Sequence, residues 1–200
     1  MIRNFRRKNE EIGKTGKVPV IELYFSARFI MNQGLLSGME KAAGAIPETH
    51  YKALEIIIDK FKGHNIEWMV FGSANLALQG VNVEVHDIDL ATDKESLEKA
   101  AELLKEYMTK PVNYREKGPF KSYNSAFKIN GVDIELIYEL QHKLRTGGWA
   151  ETNQMPKKKI FEYKGLQIPL TPLEIEHQAY ELMGRVEKAR KVKEFLEKKQ

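Results

Sequence analysis

Two hundred residues, 42% hydrophobic and 30% charged, make a chain long enough to bury a real core and too well balanced for general disorder. It has no cysteine, which excludes a disulfide framework and thiolate chemistry, and its longest apolar stretch, Val18 to Met31, is broken by Glu22 and Arg28 and too short to span a bilayer. The net charge of +4 is unevenly placed: residues 1–17 carry six basic and two acidic side chains, residues 185–200 carry seven and three, and the middle is acidic.

Basic ends of this kind read first as solvated faces and second as a contact for a polyanionic partner such as nucleic acid. No apolar region or small-residue cleavage site follows the basic start, so the expectation is a cytoplasmic protein with no membrane partner.

Residues 1–17 have no usable periodicity and read as an arm. An amphipathic segment from Pro19 to Ala45 is interrupted by Gly34, Gly38 and Gly44, and carries no chemical motif. From Pro47, apolar Tyr51, Leu54, Ile58 and Phe61 recur at helical spacing, with Gly63 as the stop. IEWMVFG predicts a short strand and SANLALQG a short helix. HDIDLAT predicts a second strand, followed by a long amphipathic helix over DKESLEKAAELLKEYM, capped by Thr92 or Asp93. After a polar loop, YREKGPFK, the strands SYNSAFKI and VDIELIYEL are joined by Asn130-Gly131, the strongest short hairpin signal. KIFEY and LQIPL predict a second hairpin. TPLE then reads as a helix start, with Thr171 as N-cap, Pro172 first inside and Glu174 closing a capping box. That helix runs to about Met183, and a basic helix follows Gly184. The order predicts an α/β (α+β) domain: a small mixed β-sheet flanked by helices, with a helical C-terminal part. The expected divisions are residues 1–46 as an N-terminal extension, 47–170 as the main domain, and 171–200 as helices packed on it.

The informative stretch is FGSANLALQGVNVEVHDIDLATD, residues 71–93. Side chains alternate across a strand, so Asp87 and Asp89 share one face and Ile88 and Leu90 the other. Two carboxylates side by side repel, and each has its pKa raised unless a cation lies between them; Mg²⁺ prefers such oxygens. VDIELI offers a third carboxylate, Asp133 or Glu135, again two apart on one face. Gly72-Ser73 opens a helix whose free N–H groups and dipole suit a phosphate.

This ordered set resembles the nucleotidyltransferase fold of the DNA polymerase β superfamily, in its minimal type. The superfamily pattern is an apolar residue with Gly-Gly or Gly-Ser, a spacer, an acid–apolar–acid strand, and later a third carboxylate on an apolar strand. A closer likeness is to a group of prokaryotic nucleotidyltransferase-domain proteins, through GSANLALQGVNVEVHDIDLATDK, INGVDIELI, GGW and IPLTPLEIEHQAYELMGRVEKA. It covers residues 65–195 approximately, leaving out the first 45 or so. The resemblance implies a Mg²⁺- (or Mn²⁺-) dependent nucleotidyltransferase that moves a nucleoside monophosphate from a nucleoside triphosphate such as ATP to an acceptor hydroxyl, releasing pyrophosphate. It implies Asp87, Asp89 and Glu135 as catalytic metal ligands, with Asp133 as runner-up, since the relatives' acid aligns with Glu135. Gly72 and Ser73 would hold the phosphates, and Lys121 and Ser122 would touch the triphosphate. The acceptor stays open: a small molecule such as an antibiotic, an RNA end or a protein hydroxyl. Two other classes compete, a non-catalytic relative acting as a binding or antitoxin-type regulatory module and an RNA-binding accessory protein using the basic ends.

His86 reads as an ordinary strand residue, His142 and His177 lack partners at zinc spacing, and Trp149 reads as a base-stacking or packing residue. Tyr180 lines up with Glu176 at i, i+4, while Arg185, Lys188, Arg190, Lys191 and Lys193 make the last helix basic.

Overall fold

The computed structural model describes residues 40–144, 147–151 and 157–199, so the arm and most of the amphipathic segment lie outside the described residues. The elements run β1 (Glu40–Lys41), α1 (Glu48–Phe61), β2 (Trp68–Phe71), α2 (Gly72–Leu78), β3 (Asp87–Thr92) and α3 (Lys94–Leu103). A 3-10 turn at Lys105–Tyr107 leads into β4 (Met108–Lys117), β5 (Phe120–Ile129), β6 (Val132–Lys143) and β7 (Trp149–Glu151). The chain continues with β8 (Lys159–Tyr163), β9 (Leu166–Leu170), α4 (Leu173–Leu182) and α5 (Val186–Glu197).

All the described strands join one mixed sheet in the order β1-β8-β9-β2-β3-β6-β5-β4, with β7 on β6. β2 runs antiparallel to β3, while β3 runs parallel to β6. The period-2 pattern of the strands sorts their side chains. Ile88, Leu90, Ile134, Leu136, Phe127 and Ile129 face α1 and α3 and form the main core with Leu54, Ile57 and Leu97. Truncating one of the fully buried side chains to Ala costs about 2–5 kcal/mol. A second cluster, Leu76, Val81, Leu173, Tyr180, Ala189 and Val192, fastens α4 and α5 to α2 on the other side.

Local signals explain most element ends. Asp93 caps α3 by accepting from the Ser96 N–H at 2.8 Å. Asn130 and Gly131 both have positive φ (50° and 80°), the backbone of a two-residue primed turn that matches strand twist. Three expectations are corrected. The polar loop at YREKGPFK is largely strand: β4 extends to Lys117 and only Gly118-Pro119 turn. Its polarity fits an edge strand, exposed on its outer side, where Pro111 is also tolerated. The helix expected to reach Met108 stops at Leu103, where the chain tightens into the 3-10 turn. Thr171 is not the N-cap of α4; Pro172 is, and it has no side-chain cap bond. The Thr171 hydroxyl donates instead to the Val70 carbonyl at 3.0 Å, tying the end of β9 to β2. No described helix is long and apolar enough to cross a membrane.

Candidate active site

The strand pair β3–β6 builds the centre of the site. Its parallel register sets Asp87 beside Asp133 and Asp89 beside Glu135, so four acids of two D-h-D-type segments lie in adjacent rows. Asp87, Asp89 and Glu135 line a cavity of about 390 Å³ on the sheet face opposite the main core, together with Gly72 and Ser73. Asp133, at the start of β6, is not among the lining residues; its side chain is 71% exposed and pairs with Lys128 at 2.8 Å. Position along the strand therefore separates the two candidates for third carboxylate.

Electrostatics in the cavity are unusual. Asp89 has its pKa pushed up to about 7, first by burial and then by the negative charges of Asp87, Glu135 and Glu176, with Lys188 acting the other way. Such a group is one that a divalent cation would relieve, and hard carboxylate oxygens are the donors Mg²⁺ and Mn²⁺ take. The donor chemistry fits. The oxygens are not already drawn together, since among the described residues no three acidic or His side chains form a preassembled ligand cluster.

The Gly-Ser turn lies against these acids. Gly72 opens α2 with φ of +75°, and a Cβ there would stand 2.9 Å from Asp89 Oδ2. Glycine is needed both for the backbone angle and for the approach. Its N–H is not free: it donates to Glu176 Oε1 at 2.6 Å. The same oxygen accepts from Asn75 Nδ2 at 2.8 Å, and the Tyr180 hydroxyl also bonds the carboxylate. Burial pushes the Glu176 pKa upward, while these donors and Lys188 oppose the shift. Asn75 and Gln79 further donate to the Thr171 carbonyl at 2.9 and 2.8 Å, so a buried polar network locks the turn to the start of α4.

Of the other expected contacts, Ser122 lines the cavity and Lys121 does not. Both lie in β5, and the Lys121 ammonium stands 4.5 Å from the centroid of the Trp149 ring, which has its place in β7. Four further cations line the cavity, Arg115 and Lys117 from β4 and Arg185 and Lys188 from the start of α5. Arg115 approaches Glu135 Oε1 at 3.5 Å. Sequence reasoning missed Glu176 as a member of the site. Its signal was a carboxylate one helical turn before Tyr180, on the buried stripe of α4. Arg115 and Lys117 left no signal, because their segment read as loop.

The family model described as aminoglycoside-2''-adenylyltransferase matches residues 53–195. A candidate nucleotidyltransferase of Thermotoga maritima, TM1012, is 33% identical with a TM-score of 0.65, covering 78% of this chain and 98% of its own. ANT(2'')-Ia in complex with adenylyl-2''-tobramycin aligns at 12% identity and a TM-score of 0.49, over 74% of this chain and 90% of its own, too distant to carry an argument. No curated protein matches by sequence. The matched span takes in the Gly-Ser turn, both acidic strands and both closing helices, and on that basis the chain belongs to the aminoglycoside-2''-adenylyltransferase family and has the nucleotidyltransferase fold.

Proposed function

We propose that this chain transfers a nucleoside monophosphate from a nucleoside triphosphate to an acceptor hydroxyl, with Asp87, Asp89 and Glu135 holding Mg²⁺ or Mn²⁺. The observation that carries the reading is the β3–β6 register, which sets Asp89 beside Glu135 in one cavity with Asp87 and the Gly-Ser turn. When bound, the metal supplies Lewis-acid neutralisation of phosphate charge. The acceptor oxygen forms a bond to the α-phosphorus in line, the bond to the bridging oxygen breaks, and pyrophosphate leaves with that electron pair. Glu135 accepts the proton of the acceptor hydroxyl, and Arg115 beside it stabilises the carboxylate before that step. Ser73 and Ser122, which line the cavity, hydrogen-bond the phosphates, and Lys121 serves the triphosphate only by leaving the Trp149 ring. The family description makes ATP the first donor to test and an aminoglycoside hydroxyl the first acceptor.

The test is calorimetric binding of Mg·ATP and Mn²⁺, with transfer of labelled nucleotide to an acceptor panel. Glu135→Gln is expected to weaken metal binding by roughly 10- to 100-fold. Asp133→Asn, which breaks only an exposed pair with Lys128, is expected to change it by less than about twofold. A chain that binds neither triphosphate nor metal, or a Glu135→Gln variant indistinguishable from the parent, sinks the proposal.

A further inference from the structure

The two closing helices meet at a bend where the Arg185 N–H donates to the Tyr180 carbonyl at 2.9 Å. Beyond it, Arg185 and Lys188, three residues apart at the start of α5, both line the cavity. Each is seated on an aromatic ring. The Arg185 guanidinium is 5.3 Å from the Phe120 centroid, and the Lys188 ammonium is 5.5 Å from that of Tyr180. Rings hold cations in place without neutralising them. Arg190, further along the same helix, is different: it pairs with Glu187 at 3.3 Å and Glu194 at 2.6 Å. Among the described residues neither Arg185 nor Lys188 has an ion pair of its own.

The amide of Gly72 that would otherwise meet an anion is occupied by the Glu176 carboxylate, which also feels the charge of Lys188. A phosphate approaching that amide meets a carboxyl oxygen in place of a free N–H. The accessible positive charge lies instead at the α4–α5 bend. We propose that Arg185 and Lys188 form the subsite for the terminal phosphates of a polyphosphate ligand, displaced from the Gly72 amide by Glu176. Its role in retaining and then releasing pyrophosphate rests on the nucleotidyl-transfer reading; its anion chemistry does not.

Calorimetry on the full chain with Mg·pyrophosphate, Mg·ATP and Mg·AMP tests this on Arg185→Gln, Lys188→Gln and the double variant. Arg185 is exposed and Lys188 half-buried, so neither substitution empties the core. Each single variant is expected to weaken pyrophosphate and ATP binding by about 5- to 20-fold, the worth of one charge-assisted contact. AMP binding should stay within about twofold, and raising salt should weaken the parent more than the double variant. The subsite is overturned if the parent fails to bind pyrophosphate, if the double variant binds pyrophosphate and ATP like the parent, or if AMP weakens as much as ATP. Pyrophosphate binding lost in the double variant, with no nucleotide bound by the parent, keeps the subsite and removes the nucleotidyl-transfer reading.

Discussion

Asp89→Asn is expected to reduce nucleotidyl transfer by about 1,000-fold and, without metal, to make the protein more stable than its parent at pH 8. The two effects have one source. Asp89 is held among like charges, with its pKa pushed up to about 7 from the ordinary 3.8 by burial first, then by Asp87, Glu135 and Glu176. Between pH 4 and pH 7 the folded chain therefore keeps a proton that the unfolded chain has lost. Stability from this group is greatest at low pH, falls as pH rises through that window, and is flat above it. A carboxyl displaced that far loses about 4 kcal/mol at most across the window, and the open cavity reduces the loss to roughly 1–3 kcal/mol. Asparagine cannot ionise, so the variant should match the parent near pH 4 and exceed it at pH 8. Added Mg²⁺ should rescue the parent at pH 8 but barely at pH 5, where the proton competes, and should not rescue the variant. Thermal unfolding at the two pH values, with and without Mg²⁺, reads all of this. Parallel pH profiles for parent and variant would contradict it.

Gly72→Ala is expected to damage stability and metal binding together. The φ of +75° disfavours any L side chain, and the new methyl would meet Asp89 Oδ2 at 2.9 Å. Relief requires the turn to move, which breaks the 2.6 Å bond to Glu176, or Asp89 to rotate out of its place beside Glu135. A loss of about 2–4 kcal/mol in stability is expected from strain plus the broken buried bond, with transfer down by about 100-fold or more. Gly165→Ala separates the two contributions. Its φ is +84°, but nothing lies within 4 Å of the added methyl. It should cost about 1 kcal/mol and leave Mn²⁺ affinity alone. Equal metal affinities for the parent and the Gly72→Ala chain would show that this glycine serves the fold only.

What could be read from the sequence was local. The alternation of Asp87, Ile88, Asp89 and Leu90 states which side chains share a face, and the Asn130-Gly131 pair states where the chain reverses. The apolar stripes of α1 and α3 were legible for the same reason. Pairings between distant segments were not. Nothing in VDIELI says that its second acid, rather than its first, lies deeper along β3, because that depends on register. The occupied Gly72 amide was hidden likewise, since its partner Glu176 is more than a hundred residues away. Thr171 misled because its hydroxyl can satisfy either its own helix or a neighbouring strand, and the carbonyl of Val70 wins. In β4, polar residues mark an edge strand rather than a loop, a distinction made only by the sheet around it.

The parallel join between β3 and β6 has a consequence for how the chain becomes competent. Hairpins such as β5–β6 close on neighbouring residues and can form early, whereas β3 must wait for α3, β4 and β5 to be threaded before its partner arrives. Asp89 and Glu135 become neighbours only at that late, entropically costly closure. A nascent chain released before β6 can hold the turn and two of the acids, yet lacks the third. On the proposed metal-binding reading, divalent-ion affinity would report completed topology, and ions that bind the finished sheet would slow its opening by drawing on the last contacts made.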